Sequence, residues 1–304
     1  MYYFIVNPGS GRGKGFRIWR KLEKLLSFAC VEYEAYFTHG QGDARALARD
    51  LTEGCREPRV IVVAGGDGTV NEVVDGLSFN GPVTLGLIPG GTGNDLAKSL
   101  RLPGSPRRCL KKILHPKYHK LMDYGVLSYG EGEVRHRRFV VSAGIGVDAA
   151  VCHSLLHGGF NKICPRKLRY VLVGLGQLFR ARPVKGYLVL DGVQKVEFNH
   201  IYFISAHIHP SEGGGFVFAP GADCSDGRLS LCVAHTSSRI RLFQIVLDAF
   251  FGRRKKRPGV RRYECREAFI HLDRPMAVHV DGESCQMQQD IQLRCIQKKM
   301  RMIV

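Results

Sequence analysis

The sequence lacks an apolar run long enough to cross a membrane. Its longest nearly apolar stretch, residues 170–179, has roughly half of the ~20 residues that a spanning helix needs, and Arg169 and Arg180 flank it. Low-complexity tracts and strict repeats are also absent. These absences exclude a membrane-spanning chain, a disordered chain and a repeat array, and they predict a folded globular protein.

The cysteines lack the spacing of a metal site or a redox motif. All ten are scattered, with no CxxC pair and no Cys/His pattern typical of zinc. No signal-peptide pattern precedes the first predicted strand. We therefore expect reduced thiols and a cytoplasmic location.

Acidic residues are few relative to basic ones. Lys and Arg number 45 against 27 Asp and Glu, which gives a formal net charge of +18. Such an excess attracts polyanions, and the candidates are nucleotide phosphates, anionic lipid and nucleic acid.

The chain of 304 residues has two different textures, which predicts two domains. The first alternates short β-rich runs with amphipathic helical patterns, as βαβ units of a parallel sheet do. The second consists of alternating strands separated by Asp-Gly turns, interrupted by helical patterns near residues 166–180 and 238–251. We predict an N-terminal α/β nucleotide-binding domain at residues 1–119 and a mostly antiparallel β-sandwich domain at 120–298, with residues 299–304 as a candidate extra strand of the first.

A glycine-rich loop joins a predicted strand to a predicted helix in the first domain. Gly65-Gly66-Asp67-Gly68-Thr69 follows the β-rich run 59–64, and Val70, Val73, Val74 and Leu77 continue with helical spacing. Glycines let backbone N–H groups approach a ligand, and a helix N-terminus favours negative charge, so the pattern indicates a polyphosphate site. Asp67 would repel phosphate directly, so we expect it to act through Mg²⁺ or an ordered water. A hairpin turn or a plain helix cap is the alternative for a single loop of this kind.

Two further loops have the same context. Asn7-Pro8-Gly9-Ser10-Gly11 follows the first predicted strand, and the loop at residues 89–95 again links a strand to a helix. Loops after parallel strands meet at the carboxyl edge of the sheet, where open α/β sheets bind ligands. No Walker A sequence and no protein-kinase HRD or DFG motif accompanies them.

These residues resemble the diacylglycerol kinase catalytic domain, which bacterial lipid kinases, sphingosine kinases and ceramide kinases share. GGDGT alone also occurs in NAD kinases, but GGDGTVNEVV at residues 65–74 followed by PGGTGNDLA at 89–97 is particular to the lipid-kinase branch. The resemblance extends through the motifs at residues 144–148, 213–215, 226–227 and 281–283. It implies a magnesium- and ATP-dependent kinase that phosphorylates a lipid hydroxyl, with the nucleotide in a cleft between an α/β domain and a β-sandwich domain.

The resemblance also implies roles for individual residues. Those expected around ATP are Asn7, Pro8, Gly9, Ser10, Gly11, Arg12, Thr38, Gly65, Gly66, Asp67, Gly68, Thr69, Asn71, Glu72, Gly91, Thr92, Asn94, Asp95 and Lys98. Lys98 stands where related bacterial enzymes often carry Arg, and Lys cannot form Arg's bidentate fork.

Two Asp-Gly turns of the second domain carry further expected roles. Glu283 resembles the general base, with Asp281 serving the magnesium network. Asp226, with the carbonyls of Asp223 and Arg228, resembles a structural magnesium site. Without the resemblance, each would be interpreted as a plain strand-joining turn.

A basic run is present at Arg253-Arg254-Lys255-Lys256-Arg257, with Arg261 and Arg262 close behind it. Attraction between these cations and anionic headgroups would suit an enzyme whose substrate lies in a bilayer. We expect a membrane lipid as substrate, an anionic membrane surface as partner and no nucleic acid, with a peripheral location on the inner face of the membrane. The lipid, whether diacylglycerol or another hydroxylated lipid, and a homodimeric state are left open. The alternatives are a soluble NAD kinase, or a non-catalytic lipid- or nucleic-acid-binding protein; the second glycine loop argues against the former and intact Asp67, Asn94, Asp95 and Glu283 argue against the latter.

Overall fold

The computed structural model describes residues 1–157, 173–174, 176–177, 180–253 and 257–304. Most of the helix predicted at residues 166–180, and residues 254–256 of the basic run, lie outside this part of the chain. The chain forms two compact units: Met1–Met122 with Lys298–Val304 make unit 1, and Asp123–Gln297 make unit 2. No helix formed by the described residues is both long enough and apolar enough to span a membrane.

Unit 1 is an α/β unit built on a parallel sheet. Its strands are β1 (Tyr2–Val6), β2 (Tyr33–Phe37), β3 (Arg59–Gly65) and β4 (Val83–Pro89). They lie in the order β4-β3-β1-β2, and every neighbouring pair is parallel. The helices are α1 (Ser10–Gly13, a single irregular turn), α2 (Gly15–Phe28), α3 (Asp43–Thr52), α4 (Asp67–Gly76), α5 (Asp95–Ser99) and α6 (Pro106–Leu114).

The core of unit 1 lies where α2 and α6 cover the sheet. Trp19, Leu22 and Leu26 of α2 repeat at helical spacing and are buried with Phe4 of β1. The Trp19 ring meets the edges or faces of Phe4, Tyr33 and Phe37 at centroid distances of 5.3, 5.9 and 5.8 Å. These T-shaped contacts fix α2 against the sheet.

The closing residues of the chain belong to unit 1. The last long strand, β13 (Glu283–Ile303), places Arg301 and Met302 beside Thr84 and Leu85 of β4 in a parallel pairing. Ile303 is buried in the same core as Trp19. A parallel strand therefore completes the sheet of unit 1 after the whole of unit 2.

Unit 2 is dominated by antiparallel strands. They are β5 (His119–Tyr129, which begins in unit 1), β6 (Arg135–Phe139), β7 (Ser142–Gly146), β8 (Val184–Leu190), β9 (Gln194–His207), β10 (Leu229–His235), β11 (Val260–Cys265), β12 (Glu267–Val280) and the first part of β13. The order β11-β10-β9-β7-β12-β13 is antiparallel at every step. The helices of this unit whose bounds the described residues give are α7 (Val147–His157) and α8 (Arg239–Phe250).

Two predicted boundaries need correction. The β-rich sequence of residues 31–37 predicts a strand over the whole run, but the strand begins at Tyr33, because the Val31 N–H bonds to the Leu26 carbonyl and closes the end of α2. The runs 268–272 and 276–280 form one strand, β12, with a shift of register between His271 and Met276. The register shift breaks the apolar alternation, and so the sequence pattern looks like two strands.

Replacing Leu22 by Ala should destabilise unit 1 by about 2–5 kcal/mol, because Leu22 is only 1% exposed and its removal leaves a cavity. Trp19 is the sole tryptophan, so its fluorescence during urea unfolding reports on this unit. Phe28→Ala on the same helix is the control, since Phe28 is 90% exposed and should change stability by no more than about 0.5 kcal/mol. Equal effects in the two variants would contradict this packing.

Candidate active site

Four loops of unit 1 meet at the carboxyl edge of its parallel sheet. The backbone N–H groups of Asn7 and Thr38, just after β1 and β2, bond to the carbonyls of Ala64 and Val6. The Gly90 N–H, just after β4, bonds to the Gly65 carbonyl at the end of β3 at 2.7 Å. The predicted convergence of the glycine loops is therefore confirmed within this unit, with Thr38 beside them.

The Asp67 carboxylate joins the first glycine loop to the second. Its Oδ2 accepts the Asn94 N–H at 2.7 Å, and its Oδ1 accepts the Asp95 N–H at 2.6 Å. Asn94 has a left-handed backbone, with φ of 54°, and directly precedes α5. Asp67 thus bonds to the backbone at the start of α5 while it belongs to the first turn of α4. Its expected action through Mg²⁺ or water stays a prediction.

Glycines allow the loops to approach closely. A Cβ on Gly91 would lie 2.6 Å from the Cα of Gly66, and a Cβ on Gly11 would lie 2.3 Å from the Gly90 carbonyl oxygen. Both distances are shorter than real side chains adopt, so these positions require glycine. The result is a cradle of backbone with little side-chain volume.

Polar side chains tie the loops together. Asn7 Nδ2 donates to Thr69 Oγ1 at 2.9 Å, and the Asn94 side chain both accepts from the Gly91 N–H and donates to the Gly91 carbonyl, each at 2.9 Å. Ser10 Oγ is buried and has no hydrogen-bond partner among the described residues. An orphaned hydroxyl beside the loops fits a ligand with acceptor oxygens.

The remaining expected nucleotide residues differ in exposure. Thr92, Arg12 and Lys98 are exposed, and Lys98 Nζ lies 3.9 Å from Asp95 Oδ1. Asn71 is fully buried. Four other expected nucleotide residues are half-buried: Pro8, Gly66, Gly68 and Glu72.

This edge can bind an anion. α4 begins at Asp67, immediately after glycines, and directs the N-terminal N–H groups of a helix of ten residues toward the same edge. The helix dipole and the free approach of backbone N–H groups both favour phosphate. A hairpin turn would lack the partial positive charge of a helix N-terminus. The structure excludes the hairpin alternative, because Asp67 is the first residue of α4.

In unit 2, Glu283 follows a tight turn between β12 and β13. Val280 pairs with Glu283, and the two residues between them, Asp281 and Gly282, have φ of 48° and 89°. Positive φ at both central positions is the type I′ geometry that Asp-Gly favours. Glu283 is therefore placed at the first position of β13, half-buried.

Asp281 is heavily bonded to backbone. Its Oδ2 accepts the Val140 N–H, and its Oδ1 accepts the N–H groups of Val141 and Ser142, all at 2.9 Å. The Asp281 N–H in turn donates to the Ser142 carbonyl at 2.8 Å. These bonds anchor the turn to the start of β7, and service to a magnesium ion stays a prediction for this residue.

The loop at Asp223 to Arg228 is rich in carboxylate contacts. Asp223 Oδ1 accepts from the Ser225 N–H and hydroxyl, and Asp226 Oδ1 accepts the Arg228 N–H at 2.9 Å. The buried Asp123 accepts the Gly227 N–H at 2.6 Å. Burial raises the pKa of nearby Glu264, and the charge of Asp226 adds to that rise. Oxygen donors of this kind suit Mg²⁺.

A buried polar group in unit 2 was not singled out from the sequence. Atoms of Asp148, Glu212 and His279 that could ligate a metal all lie within 4.8 Å of one another. His279 is 2% exposed and Glu212 8%. A signal was available, because His279 interrupts the apolar pair Val278 and Val280 in a strand that otherwise reads as core.

Comparisons with known proteins agree with this architecture. Residues 1–126 match the diacylglycerol kinase catalytic domain, and residues 140–304 match the YegS C-terminal NAD kinase beta sandwich-like domain. A diacylglycerol kinase of Mycobacterium tuberculosis (strain ATCC 25618 / H37Rv) is 28% identical over 292 residues, covering 94% of this chain and 90% of that protein. The Bacillus subtilis (strain 168) protein YtlR, whose name marks it as a candidate lipid kinase, is 25% identical over 288 residues, 93% of each chain.

A solved structure shows the same fold. The crystal structure of a diacylglycerol kinase from Bacillus anthracis str. Sterne superposes with a TM-score of 0.73 at 22% identity, covering 99% of this chain and 96% of that one. The fold and the loops together define a lipid kinase with an α/β domain and a β-sandwich-like domain. The chain belongs to the diacylglycerol kinase catalytic-domain family.

Removing the Asp67 carboxylate should loosen the second loop. In Asp67→Ala the N–H groups of Asn94 and Asp95 lose their acceptor, and bonds to a charged group contribute about 1.5–3 kcal/mol each. Amide hydrogen exchange of residues 91–99 should become at least ~10-fold faster.

Asp43→Ala is a matched control in the same unit. Asp43 Oδ2 accepts the N–H groups of His39 and Gly40, and these bonds lower its pKa, yet it does not touch the second loop. Exchange at residues 91–99 should stay unchanged in this variant. Unchanged exchange there in Asp67→Ala as well would show that Asp67 does not hold the loop.

Proposed function

We propose that this lipid kinase transfers the γ-phosphoryl group of ATP to a hydroxyl of a membrane lipid, with Mg²⁺ as the metal. The observation that carries the proposal is the joining of the two glycine loops by Asp67 at the sheet edge of unit 1. Backbone N–H groups, the start of α4 and the orphaned Ser10 hydroxyl form a site suited to polyphosphate. The loop residues named above would hold ATP.

Glu283 is the proposed proton acceptor. A lipid hydroxyl is a weak nucleophile, and a carboxylate that takes its proton as the new bond forms lowers the barrier. The turn before Glu283 is held by the three N–H bonds to Asp281, so the carboxylate stands on a rigid support. Magnesium, when bound, would neutralise charge on the phosphate oxygens.

We propose diacylglycerol or a related hydroxylated lipid as the substrate. This proposal draws on relatives of M. tuberculosis and B. subtilis that are named diacylglycerol kinases, each matched over most of its length. A role in lipid metabolism, specifically phospholipid biosynthesis, and ATP use follow from the same proposal.

We expect attraction to an anionic membrane surface from two groups of cations. The first is the predicted basic run with Arg261 and Arg262, two members of which make internal contacts as well: Arg257 pairs with Asp248, and Arg262 Nε donates to the Phe218 carbonyl. Exposed cations also lie on two adjoining helices of unit 1, with α6 carrying no acidic residue: Arg17, Arg20, Lys21 and Lys24 on α2, and Arg107, Arg108 and Lys111 on α6. Each such cation near an anionic bilayer contributes on the order of 1 kcal/mol, so this surface supports peripheral binding.

The first test is transfer of label from ATP. Wild-type protein with Mg²⁺ should label a lipid from a panel of diacylglycerol, phosphatidylglycerol and a sphingoid base, and Glu283→Gln should lower kcat by ~10²-fold or more while ATP binding stays nearly normal. Glu267→Gln is the control, because Glu267 lies at the far end of the β12–β13 pairing, where its side chain accepts hydrogen bonds from Gln292 and Arg294. Labelling of NAD with no labelled lipid would contradict the proposal.

The second test concerns a structural magnesium ion at Asp226, with the carbonyls of Asp223 and Arg228. Binding to the folded state alone raises stability by about 2.7 kcal/mol at a concentration 100 times the Kd. Mg²⁺ should therefore raise the melting temperature of wild-type protein, and Asp226→Asn should abolish that rise. Asp290→Asn, at an exposed carboxylate paired with His271, should keep it. An identical rise in Asp226→Asn would place the ion elsewhere.

A further inference from the structure

The turn that carries Glu283 has one N–H group whose acceptor is a side chain. The Asp281 N–H is bonded to the Ser142 carbonyl, but the Gly282 N–H donates to Nδ1 of His279 at 3.2 Å. Gly282 is the residue immediately before Glu283, and its φ of 89° is the positive value that this turn requires. The His279 ring is thus bonded one residue away from the proposed base.

The His279 ring is itself held from behind. The side chain is 2% exposed, and its Nε2 lies 3.5 Å from Oδ2 of Asp148 at the start of α7. Asp148 is fixed in turn, since its Oδ1 accepts the Ala149 N–H at 2.7 Å. A chain of contacts therefore runs from α7 through the ring to the turn.

Gly144 makes room for this chain of contacts. A Cβ at this position would lie 2.2 Å from Asp148 Oδ2 and 2.8 Å from His279 Nε2. Any side chain on β7 here would push the carboxylate and the ring apart. The glycine at this position therefore allows the Asp148 carboxylate and the His279 ring to lie close together.

The hydrogen bond from Gly282 assigns the tautomer of the ring. Because Nδ1 accepts the Gly282 N–H, its lone pair is engaged, and this leaves Nε2, 3.5 Å from Asp148 Oδ2, as the ring nitrogen that carries a proton. A metal ion bound by Nε2 would need the lone pair that this proton occupies. Although Asp148, Glu212 and His279 are close enough to surround an ion, the bonding of the ring favours a hydrogen-bonded support.

We propose that His279 is a positioning residue: it holds the Gly282 N–H, and with Asp148 behind it keeps Glu283 aligned for proton removal from the lipid hydroxyl. This inference rests on the proposed role of Glu283. A shift of about 1 Å in a reacting group can cost ~10²-fold in rate, so a modest loosening of the turn has a large effect on turnover.

Two conservative variants test the roles of Nδ1 and Nε2 of His279 separately. In His279→Asn the amide oxygen takes the place of Nδ1 and can still accept the Gly282 N–H, whereas in His279→Gln the amide reaches the place of Nε2 and leaves Gly282 unbonded. Together with His279→Ala they should be assayed for kcat, for KM of ATP and lipid, and for melting temperature. His271→Ala on the same strand is the control, because His271 pairs with Asp290 at an exposed position.

The expected result is a fall in kcat of ~10-fold or more in His279→Ala and His279→Gln, with KM for ATP within about twofold of the wild-type value. His279→Asn should regain most of the lost turnover, and His271→Ala should match wild type. Gly144→Ala should resemble His279→Ala, because its Cβ displaces the ring. Amide exchange of residues 280–284 should be faster in the Ala and Gln variants and near normal in the Asn variant.

Several results would overturn the proposal. They are normal turnover in His279→Ala, equal losses of kcat and of exchange protection in the Asn and Gln variants, or stoichiometric zinc bound by wild type and lost in His279→Ala. If wild-type protein labels no lipid, or if Glu283→Gln turns over normally, the proposed function or its base fails. The exchange measurements still decide separately whether His279 holds the turn.

Discussion

The bond between the Asp67 carboxylate and two backbone N–H groups is the contact on which the ligand edge of unit 1 depends. It links the end of β3 to the end of β4 across loops that consist mainly of glycine. Glycine loops can approach a phosphate, but they also lose the most conformational entropy on folding. A charged acceptor that bonds to two N–H groups offsets part of that cost. Neutral Asn7 and Thr69 add a second link on the other side.

Unit 2 uses the same device at the turn before Glu283. Asp281 bonds to three successive N–H groups of another segment, just as Asp67 bonds to two. In both places an acidic residue inside a conspicuous sequence motif acts on backbone. A carboxylate in such a motif therefore need not contact metal or substrate to be required, and loss of activity on its replacement would not by itself identify a ligand.

Much of the fold was predictable because it is written in local patterns. The βαβ alternation, the apolar face with Trp19 and Leu22, and the Asp-Gly turns each follow from spacing within about ten residues. The convergence of the loops followed from topology, since parallel strands share a carboxyl edge. The β-like run at residues 299–304 lies at the end of β13, where Arg301 and Met302 pair with β4.

The contacts that define the site could not be predicted in the same way. Asp67 reaches Asn94 across 27 positions, and Asp281 reaches Val140 across 141. Such bonds depend on strand register and on side-chain rotamers, which no local pattern specifies. Likewise Asp148, Glu212 and His279 come from a helix, a loop and a strand that only the folded sheet brings together.

The pairing of residues 301–302 with β4 has a consequence for how the protein is made. Until those residues leave the ribosome, β4 has a partner on one side only, in β3, and its other edge has open N–H and carbonyl groups. Unit 2 must be synthesised in full before that edge is covered. Unit 1 therefore spends most of translation as an incomplete sheet, open to pairing with other nascent chains, and its final closure is a long-range step that comes late in folding.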